Sequence, residues 1–347
     1  MKKTKILVLS LFFGNDYFET NEEFREVFSS LGDDVEFIYA HDGNADRVGD
    51  VSAYVLKVER EGVNWITIDP EVREKLPEAE VLLVSNSCVT AEMMDLAPNL
   101  KFIGSMRSGV ENVDVQAAEA RGIQVRCIPG RLADAVADMT LAMIVCETRG
   151  VIRGNLTSSH GEWNKRDIYD DTTNRPIAFL KIGIIGFGFI GQCLAKRLRA
   201  CGATLLAYDP YQKEEVFAAC EVRKTGLEEL LQTCDVVCMM AKLTPDTKNL
   251  MGREQFALMK PTAVFVNTAR AGLVDEAALI EALETKKIRG AALDVYSQEP
   301  LPKDHPLLKM NNVTLMPHRA GVTSGNHQNS MRLMFRILRR YLDGEPV

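Results

Sequence analysis

The sequence predicts a doubly wound α/β protein built from two Rossmann-like or flavodoxin-like domains. Three observations carry that reading. Short apolar runs alternate with amphipathic stretches from one end of the chain to the other. A glycine-rich turn follows one of the apolar runs in mid-chain. The length, 347 residues, exceeds what one core usually fills, at roughly 100–200 residues per domain. Alternation of this type builds βαβ units and hence parallel sheets.

The elements follow in order. In the first third, strands are expected at residues 5–10 (KILVLS), 35–40, 81–85 and 102–106, with helices at 21–30 and 90–96. Residues 41–77 are polar and irregular and predict little. Residues 131–147 (RLADAVADMTLAMIVCE) read as one long helix with few residues of exposed type, and such a helix is expected to be buried between domains or subunits. Residues 157–175 form a polar loop. Strands resume at 181–185, 203–208, 236–239, 263–267, 290–295 and 313–316. The final stretch, 324–342, places Met331, Met334, Phe335, Leu338 and Leu342 at helical spacing.

Composition excludes several classes. Hydrophobic residues are 46% and charged residues 26% of the chain, an ordinary globular balance that rules out wholesale disorder. A net charge of −7 and a pI near 5.5 argue against nucleic acid or anionic membrane as partner, while leaving room for a small basic pocket. No apolar run reaches the ~18 residues of a transmembrane helix. The opening apolar run, residues 6–13, is short and lacks a small-x-small cleavage site, so it reads as a buried strand rather than a secretory signal. Eight cysteines are scattered, and Cys234 and Cys238 have no ligand pair to complete a zinc site, so no metal is expected. Cysteines used as small core residues imply a reducing, cytoplasmic location.

Residues 180–191 read LKIGIIGFGFIG. An apolar strand runs into Gly186-Phe-Gly188-Phe189-Ile190-Gly191, and a helix follows. Gly186 permits the tight turn, Gly188 admits a pyrophosphate close to backbone, and Gly191 lets helix and strand approach. The helix N-terminus offers free N–H groups and the positive end of its dipole. Asp209, 18 positions after Gly191 at the end of the next strand, can accept from both adenosine ribose hydroxyls and would repel a 2′-phosphate. NAD is therefore the expected cofactor.

Three later stretches put a polar residue where a strand should end: VNTARAGL with Arg270, ALDVYSQEPL with Asp294 and Glu299, and LMPHRAG with His318. Carboxyl ends of strands are where open α/β sheets bind ligands. Reducing a 2-keto acid needs a cation to hold the carboxylate and polarise the carbonyl, and an acid to protonate its oxygen. Arg270 suits the first task by bidentate pairing and His318 the second, with Glu299 holding the other imidazole nitrogen. Taken singly, each has an ordinary alternative: a surface ion pair for the arginine, a structural role for the histidine.

Taken together, MRSGVENVD, GRLADAVAD, GIIGFGFIG, YDP, LTPDT, VNTARAGLVDEAAL, ALDVYSQEP and MPHRAGVT resemble, in composition and order, the D-isomer-specific 2-hydroxyacid dehydrogenase family, phosphoglycerate dehydrogenase-like branch. The resemblance runs from about residue 99 to 342. It implies a substrate domain over 1–114, completed by 320–347, into which an NAD domain at 115–319 is inserted. It implies Arg270 as substrate-orienting arginine, Glu299 as histidine partner and His318 as acid/base. Asp294 would sit beside the nicotinamide, Thr268 and Ala269 would line the cofactor cleft, and backbone at Ser108 and Gly109 would hold the substrate carboxylate. Formate dehydrogenases, which pair the histidine with glutamine, are disfavoured by Glu299. Val84 and Ser85 stand where the phosphoglycerate branch usually has an arginine, which puts 3-phosphoglycerate in doubt unless Arg107 compensates. The expected function is NAD-dependent interconversion of a small 2-keto acid and its D-2-hydroxy acid, in a homodimer. The alternative is an NAD-sensing, corepressor-like binding protein of the same fold.

Overall fold

The computed structural model describes residues 3–11, 22–49, 51–163 and 174–347. The chain divides into two units, Met1–Arg131 with Ser324–Val347, and Leu132–Thr323. The first boundary thus lies at Arg131 rather than residue 114, and the second at Ser324 rather than 320. The reason is local: helix α6 (Val115–Ala120) leads into strand β5 (Gln124–Cys127), which pairs with β4 (Phe102–Ser105) and belongs to the first sheet.

In the first unit β1 (Thr4–Ser10), β2 (Val35–His41), β3 (Val81–Val84), β4 and β5 form one parallel sheet in the order β2-β1-β3-β4-β5, the flavodoxin-like arrangement. Ile6, Leu7, Val8 and Leu9 are wholly buried, as a strand covered on both faces must be. Phe24 and Phe28 of α1 (Glu22–Ser29) cover one face together with Met331, Met334 and Leu338 of the last helix, α14 (Asn326–Leu342). The C-terminal helix therefore returns to the first unit. It comes so close that a Cβ on Gly104 would lie 2.8 Å from the Met334 sulfur.

Residues 41–77, which predict little as sequence, contain α2 (Asn44–Val48), α3 (Val51–Glu61) and α4 (Pro70–Lys75). Tyr54, Val58 and Val63 form a small core with Leu11, Ala45 and Cys88, and Trp65 meets Tyr54 edge-on at 5.4 Å. Residues 12–18 lie outside the described residues, as does much of the loop expected at 157–175.

In the second unit seven parallel strands follow the order β12-β11-β10-β9-β6-β7-β8, a Rossmann order extended by one strand. These are β6 (Lys181–Ile185), β7 (Thr204–Tyr208), β8 (Arg223–Lys224), β9 (Val236–Met239), β10 (Val264–Asn267), β11 (Gly290–Leu293) and β12 (Val313–Leu315). The strand order reverses between β6 and β9. The alanine- and methionine-rich helix, α7 (Ala133–Arg149), buries Ala137, Met143 and Ile144 in the core of its own unit with Leu194 and Leu198 of α9 (Phe189–Ala200). Its apolar face is thus a core face of this sheet. Glu147, near its end, is fully buried. It pairs with Arg153 at 3.0 Å and accepts from Thr314 Oγ1 at 2.7 Å. Burial pushes this carboxyl up to about 7, against the opposing pull of Arg153, Thr314 and Arg289. Among the described residues, no helix is long and apolar enough to cross a membrane.

Candidate active site

Every site residue expected in the second unit lies at the carboxyl edge of its sheet, because parallel strands all end on one side. Beyond β6, Gly186 has φ +92°, and a Cβ there would lie 2.5 Å from backbone of Ala241. A Cβ on Gly191 would lie 2.5 Å from the Gly186 carbonyl oxygen. Neither position tolerates a side chain. Gly188 differs: a Cβ there would meet no protein atom within 4 Å. It precedes α9, a 12-residue helix whose N-terminus carries no side-chain cap. Open space in front of uncapped N–H groups at a helix N-terminus fits a pyrophosphate. Phe189 and Ile190 open that helix, with Phe189 61% exposed.

Asp209, past the end of β7, accepts from Phe187 N–H in the glycine loop at 2.8 Å, and from Tyr211 and Gln212 N–H at 2.9 and 3.2 Å. It joins the second strand to the glycine turn, a role the sequence reading did not give it.

Past β10, Asn267 is buried and organises the segment that follows. Its Oδ1 accepts from Ala269 N–H at 3.0 Å and its Nδ2 donates to the Arg270 carbonyl at 3.1 Å. Thr268 is tied to α7: Thr140 Oγ1 donates to the Val136 carbonyl, so the 2.7 Å contact between the two threonine hydroxyls is a donation by Thr268. Held by these bonds, Arg270 is exposed, with Nη1 on the Ala269 carbonyl at 2.8 Å.

Past β11 and β12, three residues converge. His318 Nδ1 lies 2.7 Å from Glu299 Oε2, and the other Glu299 oxygen accepts from Tyr296 N–H at 3.0 Å. A carboxylate only accepts, so Nδ1 bears the proton and Nε2 is left to face other groups. The Tyr296 hydroxyl spans the ends of both strands, lying 2.9 Å from the Leu293 carbonyl and 2.8 Å from that of Met316. Asp294, buried, accepts from Arg319 N–H and Ala320 N–H, both at 2.8 Å. These two donors follow His318 directly, so Asp294 fixes the backbone that presents the imidazole.

Glu276, in the first turn of α13 (Glu276–Glu284), bridges this segment to the one that carries Arg270. It accepts from Ser297 N–H at 3.2 Å and Ser297 Oγ at 2.5 Å, two residues before Glu299, and lies 3.3 Å from His305 Nε2. Sequence reasoning missed Asn267, Thr140, Tyr296 and Glu276. Only Asn267 leaves a signal there, as a polar residue closing an apolar strand.

Arg107, Ser108 and Gly109 belong to the first unit. They follow β4, whose last residue, Ser105, donates to the Asn112 side chain at 3.0 Å. Arg107 is nearly buried, with Nη1 on Asn86 Oδ1 at 3.0 Å. The Ser108 and Gly109 carbonyls accept from Cys127 and Ser105 side chains, while among the described residues their N–H groups donate no backbone hydrogen bond.

Residues 141–320 match the model of the D-isomer specific 2-hydroxyacid dehydrogenase, NAD binding domain. The chain is 38% identical over 282 residues to a D-3-phosphoglycerate dehydrogenase of Methanocaldococcus jannaschii, covering 79% of this chain and 52% of that protein. The chain thus spans about half the length of that relative. It is 37% identical over 290 residues to a glyoxylate reductase of Thermofilum pendens, covering 83% of this chain and 86% of the relative. A D-lactate dehydrogenase of Treponema pallidum shares the fold, with TM-score 0.75 at 21% identity over 99% of this chain and 98% of that one.

Proposed function

The chain belongs to the D-isomer-specific 2-hydroxyacid dehydrogenase family, and from that premise we propose that it interconverts a small 2-keto acid and its D-2-hydroxy acid with NAD. The observation that carries the proposal is the 2.7 Å pair of His318 Nδ1 with Glu299, itself held by Tyr296 N–H. NAD, when bound, supplies or accepts the hydride. In reduction, the doubly protonated His318 ring donates a proton from Nε2 to the carbonyl oxygen; in oxidation the bare Nε2 of the neutral ring takes the hydroxyl proton. Glu299 holds the Nδ1 proton in both states. Arg270 pairs with the carboxylate and draws charge toward the carbonyl oxygen, and the free N–H groups of Ser108 and Gly109 take the rest of the carboxylate. Thr268, Ala269 and Asp294 line the nicotinamide end; Gly186, Gly188, Phe189, Ile190 and Gly191 receive the pyrophosphate. Asp209 accepts from the ribose hydroxyls and favours NAD over NADP.

A homodimer is part of the proposal. Helix α8 (Val151–Ser159) buries none of its residues, and Val151, Ile152, Leu156 and nearby Trp163 are exposed by 42–82%. An apolar group of that size on a surface helix is suited to a second copy of the chain.

The test is NADH oxidation against glyoxylate, hydroxypyruvate, pyruvate and phosphorylated keto acids, with the product's configuration determined. Turnover of at least one, giving the D-hydroxy acid, is expected. An L-product, or no turnover with NADH bound, overturns the proposal.

A further inference from the structure

A second histidine–carboxylate pair stands behind the first. His305 caps the short helical turn Pro306–Lys309, its Nδ1 accepting from Leu307 N–H at 3.3 Å. A ring nitrogen that accepts carries no proton, so the neutral ring bears its proton on Nε2. That nitrogen lies 3.3 Å from Glu276 Oε1 and donates to it. The ring is firmly mounted. His305 N–H donates to the Pro302 carbonyl at 3.0 Å, and the His305 carbonyl accepts from Leu308 N–H at 3.1 Å. Leu307 is buried in the same core as Leu279 and Leu283 of α13, the helix that carries Glu276. The His305 side chain is 12% exposed, and Glu276 is its charged contact; Lys303, Asp304 and Lys309 of its own segment face solvent.

Glu276 passes the constraint on. The oxygen that takes His305 also takes Ser297 Oγ, at 2.5 Å, and the other takes Ser297 N–H at 3.2 Å. Ser297 follows Tyr296, whose N–H holds one Glu299 oxygen while the other meets His318. The turn is thus pinned toward the strands by the Tyr296 hydroxyl and on its other side by Glu276. A glutamate has several rotamers open to it, and three donors on one carboxylate select a single one. A cap alone asks for no imidazole, since asparagine or serine serves as well. The ring differs in reaching Leu307 N–H and Glu276 at once. We propose that His305 is a positioning residue for the reaction, acting through Glu276 and Ser297 to hold Glu299 against His318. The inference rests on the function proposed above, because the pair it positions is that reaction's acid and its partner.

Two substitutions separate the cap from the contact with Glu276. His305→Asn keeps an oxygen for Leu307 N–H but is too short for Glu276. His305→Gln reaches Glu276 with its amide nitrogen and is the poorer cap. The first measurement is NMR titration of the full chain labelled with 13C at histidine Cε1, the His318 signal being the one absent from His318→Ala. Loosening Glu299 withdraws a carboxylate from the imidazolium. The His318 pKa is therefore expected to fall by at least about 0.5 unit in His305→Asn, and to return toward wild type in His305→Gln. No change in His305→Asn, or an equal fall in both variants, overturns the proposal. The second measurement is keto-acid reduction across pH. In His305→Asn kcat is expected to fall about fivefold, the scale of one lost hydrogen bond. Its decline at high pH moves down with the His318 pKa, and His305→Gln recovers both. Activity that follows the melting temperatures of the two variants, rather than the His318 pKa, shows a structural role and overturns it. If the wild type turns over no keto acid, the proposed function fails, and the imidazole titration still decides whether His305 positions the pair.

Discussion

His318 adopts φ +52°, in the left-handed region that a residue with a side chain enters only when its surroundings impose it. Asp294 is what imposes it here, taking the N–H groups of the next two residues. The role follows from geometry alone. In the sequence, Asp294 is a polar residue at a strand end, and nothing marks which donors it meets. Asp294→Ala should leave two backbone donors, that of Ala320 buried, without their acceptor and let the imidazole drift from Glu299. We expect kcat to fall by about 100-fold, the scale of a misplacement near 1 Å. Unchanged kcat would show that the backbone holds its shape without the carboxylate. The pairing of His318 with Glu299, and the place of Arg270 past a strand end, were readable from the sequence because histidine, glutamate and arginine are chemically distinctive types at strand ends. Their supporting groups, Thr140 and Tyr296, are ordinary residues whose partners lie 128 and 20 positions away.

At the scale of elements, buried strands were the most readable feature. β1, β6, β9 and β10 are continuous apolar runs, and a strand covered on both faces leaves no room for polar residues. Helices α2 to α4 were not readable, since Tyr54, Val58 and Val63 are set among charged residues and bury only a narrow stripe. Strand β5, QVRC, sits at the sheet edge, half-exposed, and mixes polar with apolar residues. Missing it displaced the expected domain boundary. The Arg270 and Glu299 segments are joined by Glu276 at the start of α13, which no periodicity could reveal. Glu276→Ala should free the Ser297 turn and lower kcat/KM by about tenfold, as loss of bonds near 1.4 kcal/mol would. In a Glu299→Gln background the same substitution should add little, because it acts through Glu299. Full additivity, read by steady-state kinetics of the double variant, would contradict that path.

For the whole molecule, two sheets of different strand order share one chain, and the C-terminal helix completes the first. The alternation of elements made the two sheets readable, while the return of the last helix to the first came from the family resemblance and its spacing showed only that it is a helix. The fully buried Glu147 was not readable, for a glutamate near a helix end ordinarily faces solvent. Its carboxyl sits near 7 in the folded protein, above its usual value of about 4.5. A raised carboxyl favours the folded state most at low pH, and that contribution is lost as pH rises through 7. Melting temperature of Glu147→Gln minus that of wild type should therefore increase between pH 5 and pH 8. A constant difference would mean that Arg153 and Arg289 hold the carboxylate fully ionised.

The central claim is that His318 is the acid of a reaction whose cofactor is bound by separate residues. It is tested most directly by comparing His318→Ala with wild type for keto-acid-dependent NADH oxidation and for NADH affinity measured by fluorescence. The account predicts that kcat falls by about 100-fold or more, the scale of lost general acid catalysis, while the NADH dissociation constant stays within a few-fold. Loss of NADH binding, or turnover near the wild-type rate, would contradict it.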